Sequence, residues 1–295
     1  MTSVWGVVVH HGEAEPTLCC LESLAASTRV LDGVVVVDND GGFQPSPGML
    51  VHVVVPDQNV GFAVGVTLGA NHALAHGAGF IWVLNNDALV DPECLELLMA
   101  AAGAEPDAGF LSPLVLYADS GDAWFAGGEV DRRTMRVCHD TVPRDSDRPF
   151  DTGFVTGCAM LVRREVFTRC GPPDAGLFMY FEDVDWCLRG RAAGLRSLVV
   201  PGARVLHHVA RRDGHRVFSR ATMYFMMRNR LLLGRRYSSR CAVLPATLGW
   251  GLRQVAKGPT PRESIRSLRA VAAGFVDGWR GRVGPLSADT GAFVS

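Results

Sequence analysis

The first third of the chain constrains the fold more than any other part. Short apolar runs, "VWGVVVH", "GVVVVDN", "VHVVV" and "FIWVLNND", alternate with segments of helical spacing, "PTLCCLESLAAS", "NVGFAVGVTLGANHALAHG" and "DPECLELLMAAAG". A strand that is apolar at every position needs cover on both faces, which a parallel sheet between helices supplies. The expected fold class is therefore α/β. In the last repeat, Asp91 is expected to cap a helix, with Pro92 at its first position. At 295 residues and 48% hydrophobic, the chain can bury one large domain, or one domain with an appendage. Ligands of such sheets bind beyond the carboxyl ends of the strands. His10, Asp38, Asn39 and Asn85 to Asp87 all fall at such ends.

Beyond Gly109 the pattern shortens, and to about Val155 it reads as mixed or antiparallel structure. "GCAMLVRREVF" reads as a strand entering a short helix, and "EDVDWCLRGRAAG" as a helix stopped by Gly194. "RSLVVPGARVLHHV" reads as two short strands around Pro201-Gly202. After Ser219 the chain is expected to be helical to about Arg280, broken at Pro245 and Gly258-Pro259, with the last dozen residues frayed. The expected division is a catalytic domain over 1–215 and a helical extension over 216–295.

Charge and cysteine usage narrow the class. The net charge is -1, yet Arg204 to Arg240 holds ten arginines against Asp213 alone. Such a block is either a solvated helical face or a contact for phosphate, membrane or nucleic acid. The 8 cysteines form no C-x-x-C pair, which speaks against a zinc site or disulfide framework and for a reducing cytoplasm. No signal peptide is expected at the start, and no uncharged apolar run reaches bilayer-spanning length.

Several short motifs can carry chemistry. "LNND" sets Asn85 and Asp87 one residue apart, so both can face one ion; its structural reading is a turn leading to Asp91. "VVVDN" can likewise be only an Asx turn. Asn59 and Gly61 open "NVGFAVG", where backbone amides at a helix start can face a diphosphate. The spacing matches neither the dinucleotide nor the Walker fingerprint. In "LFMYFEDVDWCLRG", Asp185 has a structural partner four residues on, Arg189. Glu182 and Asp183 suit a helix N-terminus, but the aromatic wall beside them calls for a further reason. An apolar wall raises a carboxylate's pKa and lets it take a proton from an attacking alcohol. Asp183 is the candidate base and Glu182 its neighbour in acceptor binding. "LHHV" offers His207 and His208, of which one can face a metal at Asp87, since adjacent strand residues point opposite ways.

Taken together, "VVVDN", "NVGFAVG", "VLNNDALVDPE", "TGCAMLVRREVF", "FMYFEDVDWCLR", "PGARVLHH" and "MYFMMRNRLLL" resemble the family-two glycosyltransferases of the GT-A fold, in the same order from about Val4 to Arg236. The closer likeness is to the bacterial rhamnosyltransferase-like branch. The resemblance implies a Rossmann-like mixed sheet flanked by helices, with a helical C-terminal extension. It implies inverting transfer of a sugar from a dTDP- or UDP-sugar to a hydroxyl acceptor, assisted by Mg or Mn, with Asp183 as base. His10, Asp38, Asn39, Asn59, Gly61 and Asn86 then match nucleotide-binding positions, and Asp87, Asn85 and His207 the metal region. Gly157, Trp186 and Arg228 match the acceptor or diphosphate vicinity, with Asn229 completing an Arg-Asn pair.

Departures from the family pattern, such as Gly12 after the first strand and Pro172-Pro173 before the acid pair, cluster near the donor and the acceptor entrance. They leave sugar and acceptor open. The implied partners are a nucleoside-diphosphate sugar and a lipid-linked glycan or small-molecule acceptor, with room for a homodimer. No nucleic acid is implied, because an RNP-type stacking signature is missing. The expected setting is cytoplasmic, extending to peripheral contact at the inner face of the plasma membrane. A sugar nucleotidyltransferase would carry a basic Gly-rich first loop, which "VVVHHGEAEP" lacks. An inactive nucleotide- or glycan-binding scaffold would not need both Asp87 and Asp183.

Overall fold

The computed structural model describes residues 2–209, 211–212, 215–216, 218–258 and 260–286. The side chains of Arg211, Arg212, His215, Arg216 and Arg240 lie outside that set, as do Asp213, Pro259 and residues 287–295 of the segment expected to fray. The chain folds into two compact units.

The first unit comprises Met1–Glu129, His139–Pro173 and Asp183–Val209. It begins with β1 (Val4–His10), α1 (Ala14–Ala25), β2 (Gly33–Asp38), β3 (His52–Val54), α2 (Gly61–Ala75) and β4 (Phe80–Asn85). There follow β5 (Ala88–Val90), α3 (Cys94–Ala104), β6 (Ala108–Tyr117), β7 (Ala123–Phe125), β8 (Gly128–Asp131), which leaves this unit after Glu129, β9 (Arg136–His139), which returns to it at His139, and β10 (Phe150–Asp151). β11 (Ala159–Arg163), α4 (Arg164–Cys170), α5 (Glu182–Ala192) and β12 (Arg196–His207) complete it. The main sheet runs β10-β12-β6-β11-β4-β1-β2-β3, with β5 added beside β12 and β7 beside β6. β1 pairs in parallel with β2 and β4, whereas β11 is antiparallel to both β4 and β6. The expected α/β sheet is thus present, and it is mixed.

The apolar runs account for the core. All of β1, and Val35 to Val37 and Ile81 to Leu84, are buried. Fully burying such side chains contributes about 1.5–3 kcal/mol each. Helix α2 lies close on β1 because its glycines recur every four residues. A Cβ on Gly65 would come within 2.9 Å of Val9, and one on Gly69 within 2.4 Å of Val7. Gly61 has a second reason, since its φ of +77° lies where side chains are strained.

Three local readings are corrected. Helix α3 begins at Cys94 with Glu93 as its cap residue, because the Asp91 carbonyl accepts the Cys94 N–H and closes a turn around Pro92. Pro201-Gly202 does not split β12: a bulge between Val200 and Arg204 accommodates the missing donor of Pro201. Pro245 sits inside a helix without breaking it, and the interruption falls instead at Ser238-Ser239.

The second unit comprises Val130–Cys138, Asp174–Glu182 and Ala210–Ser295. After the short strands β13 (Arg211–Arg212) and β14 (His215–Arg216) come α6 (Arg220–Tyr237), α7 (Arg240–Ala256) and α8 (Pro261–Arg280). Ser219, Ser239 and Thr260 cap the three helices with side-chain oxygens. Tyr224, Phe225 and Ala270 form one core cluster, and Met223, Met227 and Val271 another. α8 approaches α6 through Gly274 and Gly278, where a Cβ would lie 2.4 Å from the Tyr224 carbonyl oxygen and 2.7 Å from that of Arg228.

Candidate active site

Strand register brings the candidate residues of the first unit together. His10 lies beside Asp38, and Val9 beside Asn85, at the carboxyl ends of β1, β2 and β4. The buried His10 ring contacts Phe43, and its Nδ1 lies 2.7 Å from the Thr17 hydroxyl. Asp38 is saturated. Its carboxylate accepts the N–H groups of Asp40 (3.0 Å), Gly41 (3.0 Å) and Phe43 (2.8 Å). Burial draws its pKa up, but the Phe43, Asp40 and Gly41 donors outweigh burial with help from His10, and the net shift is downward. Asp38 therefore shapes the loop after β2. Asn39 accepts the Val60 N–H (3.1 Å) and Asn59 the Gly61 N–H (2.9 Å), which ties the start of α2 to the end of β2. Asn86 donates to Thr17 Oγ1 at 3.2 Å. Thr17 carries no sequence signal, since only the docking of α1 brings it to two site residues.

The Asn85–Asp87 turn meets the end of β12. His207 is 6% exposed, and its Nε2 lies 3.2 Å from Asp87 Oδ1 and 3.3 Å from Asn85 Nδ2. His208 is exposed and points the other way. The Asp87 carbonyl accepts the His208 N–H, so β12 also pins the turn. Asp87 Oδ1 is buried but receives no hydrogen bond, and His207 Nδ1 is likewise without a partner. A carboxylate oxygen, an imidazole and an amide converging with an acceptor left over is a donor set that suits Mg²⁺ or Mn²⁺. Among the described residues no three His, Cys, Asp or Glu side chains cluster for a metal. A cation here would need further oxygens from ligand or water.

Asp183 sits in the first turn of α5. Its Oδ2 accepts the Gly157 N–H (3.1 Å) and its Oδ1 the Val184 N–H (2.7 Å). Part of its surface stays open, while Glu182 is only 6% exposed. Burial pushes the Asp183 carboxyl above the ordinary value, and the Gly157 and Val184 donors only partly offset it. Asp185 has the structural role expected of it, bonding Arg189 Nε at 2.8 Å. Trp186 is not brought to this group: it is 2% exposed, packs edge-on against Phe110 and Phe167, and donates to the Gly171 carbonyl.

In the second unit, the chain reaches Glu182 through a contorted loop. Phe178, Tyr180 and Phe181 have φ of +63°, +67° and +71°. Phe178 (φ +63°, ψ −60°) is the centre of a strained γ-turn closed by Met179 N–H to Leu177 O at 2.7 Å. Arg228 is buried, and its Nη2 donates to Leu177 O at 2.9 Å. Asn229 Nδ2 lies 2.9, 2.8 and 2.7 Å from the carbonyls of Leu177, Met179 and Tyr180. Within this unit Arg228 is thus a backbone clamp.

Comparison with known proteins places this arrangement. Residues 22–230 match the family model described as glycosyltransferase like family 2. An N-acetylglucosaminyl-diphospho-decaprenol L-rhamnosyltransferase of Mycobacterium tuberculosis is 31% identical over 66% of this chain and 72% of its own length. The dTDP-rhamnosyl transferase RfbF of Shigella flexneri is 24% identical over 69% and 71%. GalNAc-T7, crystallised with UDP, GalNAc and Mn²⁺, superposes with TM-score 0.63 at 19% identity over 79% of this chain, but only 48% of its own. TarS of S. aureus superposes with TM-score 0.58 at 12% identity, over 94% and 81%. The fold is that of the GT-A glycosyltransferases, and the class of protein is a sugar-transferring enzyme. The chain belongs to glycosyltransferase family 2, with bacterial rhamnosyltransferases among its relatives.

Proposed function

We propose that the protein is an inverting glycosyltransferase that moves a sugar from a nucleoside diphosphate, dTDP or UDP, to a hydroxyl acceptor. The observation that carries this reading is Asp183, a partly buried residue whose carboxylate is oriented by two backbone donors and raised in pKa by burial. Such a group can accept the acceptor's hydroxyl proton as that oxygen bonds to the anomeric carbon. The bond from that carbon to the diphosphate breaks in the same displacement, its electron pair leaves with the diphosphate, and the anomeric centre inverts. The transition state has oxocarbenium character, as in other glycosyl transfers.

Asp87 and His207, with Asn85 beside them, would hold a divalent cation. When bound, it supplies charge neutralisation of the departing diphosphate. His10, Asn39, Asn59 and Gly61 border the loops where the nucleoside and its phosphates would lie. The mycobacterial relative's name specifies a lipid-linked acceptor, and a lipid-linked glycan or a small molecule fits the reading here.

Calorimetric titration with UDP, dTDP and GDP, with and without Mn²⁺, tests it. Metal-dependent binding of one nucleotide is expected, and Asp183→Asn should keep that binding while losing transfer. If no nucleotide binds under any condition, the reading fails and a binding scaffold takes its place.

A further inference from the structure

The outer faces of α7 and α8 carry large apolar side chains. α8 turns Ser267, Ala270, Val271, Gly274, Asp277 and Gly278 inward. It leaves Ile265 (55%), Leu268 (47%), Val276 (41%) and Trp279 (43%) exposed. Positions 265, 268, 276 and 279 return to one side of a 3.6-residue helix, so these are a single stripe. On α7, Leu248 and Leu252 (40% and 61% exposed) lie one turn apart on the side away from Val243, Thr247 and Gln254, which are buried. Val255 of α7 and Phe275 of α8 both pack on the Met223, Met227 and Val271 cluster, and Trp279 stacks on Phe275. The stripes therefore flank a common seam. Large apolar residues along the exposed side, beyond those that fill the core, suit a helix whose outer face meets an apolar medium.

The charge on this pair is equally one-sided. From Cys241 to Leu286 there are seven basic residues against Glu263 and Asp277. Glu263 is bound to Arg266, and Asp277 to Tyr224 and Arg282. Arg253, Lys257, Arg262, Arg269 and Arg280 are all exposed. In a chain of net charge -1 this is a marked local excess of positive charge. The earlier basic block is a poorer surface, because Arg228 and Arg230 within it are buried.

We infer that the α7–α8 face docks the protein onto an anionic lipid surface, with Leu248, Leu252, Ile265, Leu268, Val276 and Trp279 entering the headgroup–acyl boundary and the flanking basic residues on the phosphates. Apolar insertion combined with cationic attraction is how in-plane helices bind membranes. No described helix is long and apolar enough to cross one, which is consistent with lying in the interface. The inference concerns a surface of the second unit and is independent of the donor chemistry above.

The test is flotation of the full chain with vesicles of phosphatidylcholine alone and with added phosphatidylglycerol, together with its elution volume without lipid. Binding to the anionic vesicles is expected, with quenching of tryptophan fluorescence by brominated lipid that Trp279→Phe removes. Arg262→Gln and Arg269→Gln should each lower partitioning roughly fivefold, and Leu252→Gln with Leu268→Gln should abolish it. Thermal melting and far-ultraviolet circular dichroism, unchanged in these variants, serve as the folding control. Absence of anionic-lipid binding, or binding indifferent to these substitutions, overturns the inference. A wild-type dimer that Leu268→Gln converts to monomer also overturns it, since the face would then belong to a second copy.

Discussion

Asn229 is the residue whose replacement most sharply separates positioning from stability. Its amide serves the carbonyls of Leu177, Met179 and Tyr180 in the loop that runs directly into Glu182 and Asp183. The Leu177 carbonyl also has Arg228 as donor, so Asn229→Ala leaves chiefly those of Met179 and Tyr180 without it. Each buried unsatisfied carbonyl costs about 1–3 kcal/mol. Against that, the loop holds non-glycine residues at positive φ at Phe178, Tyr180 and Phe181, each storing roughly 1–3 kcal/mol, and relaxation returns part of it. The net loss of stability should be about 1–3 kcal/mol, or roughly 2–5 °C in Tm for a chain of this size. The effect on catalysis should be larger, because a displacement of about 1 Å at the base costs on the order of 10²-fold in rate. Asn229→Asp has the same shape but presents acceptors to carbonyls, so it should be worse than Asn229→Ala. The assay is kcat and KM for transfer alongside thermal melting: kcat falls about 10²-fold while nucleotide affinity holds. An Asn229→Asp variant with wild-type kcat would refute the reasoning.

Other consequences are open to measurement. Because burial raises the Asp183 pKa, its contribution to stability is fully present below the unfolded value of about 3.9 and is lost as pH rises through the folded one. Asp183→Asn should therefore melt higher than wild type at neutral pH, with the gap closing toward pH 4, and the acid limb of wild-type kcat/KM should lie above the ordinary aspartate range. Asp87→Ala should weaken the Mn²⁺-dependent part of nucleotide binding by at least about tenfold and leave metal-free binding unaltered by calorimetry. Gly69→Ala would place a Cβ 2.4 Å from Val7 and should cost about 1–3 kcal/mol in urea denaturation, part of which Val7→Ala should restore.

What the sequence made legible follows from the range of the forces involved. The buried strands announce themselves because burial on both faces removes every polar residue from the run, and their ends place His10, Asp38 and Asn85 side by side in register. The pairing of Asp185 with Arg189 is local and readable for the same reason. Strand β5 and the unbroken β12 were not legible. β5 is three residues long and exists through its pairing with β12, and a proline that ends most strands is absorbed by a bulge. The bond of Thr17 to Asn86 and the clamp from α6 are invisible locally, since those partners lie tens of residues away in the chain.

The acid pair shows what the long-range clamp adds to the local motif. Glu182 and Asp183 are adjacent, both at a helix start, and alike in charge, so composition and dipole treat them equally. Consecutive helical residues point about 100° apart, so the two carboxylates face different surroundings whatever the angle at which the chain reaches Glu182. That angle is delivered by a γ-turn at Phe178 and left-handed residues at Tyr180 and Phe181, conformations the aromatic side chains disfavour. Arg228 and Asn229 hold those conformations through the carbonyls of Leu177, Met179 and Tyr180. Glu182 ends buried and Asp183 partly buried. An Arg-Asn pair on α6 thus holds the backbone of the loop that leads to Glu182, a contact that the local motif does not announce.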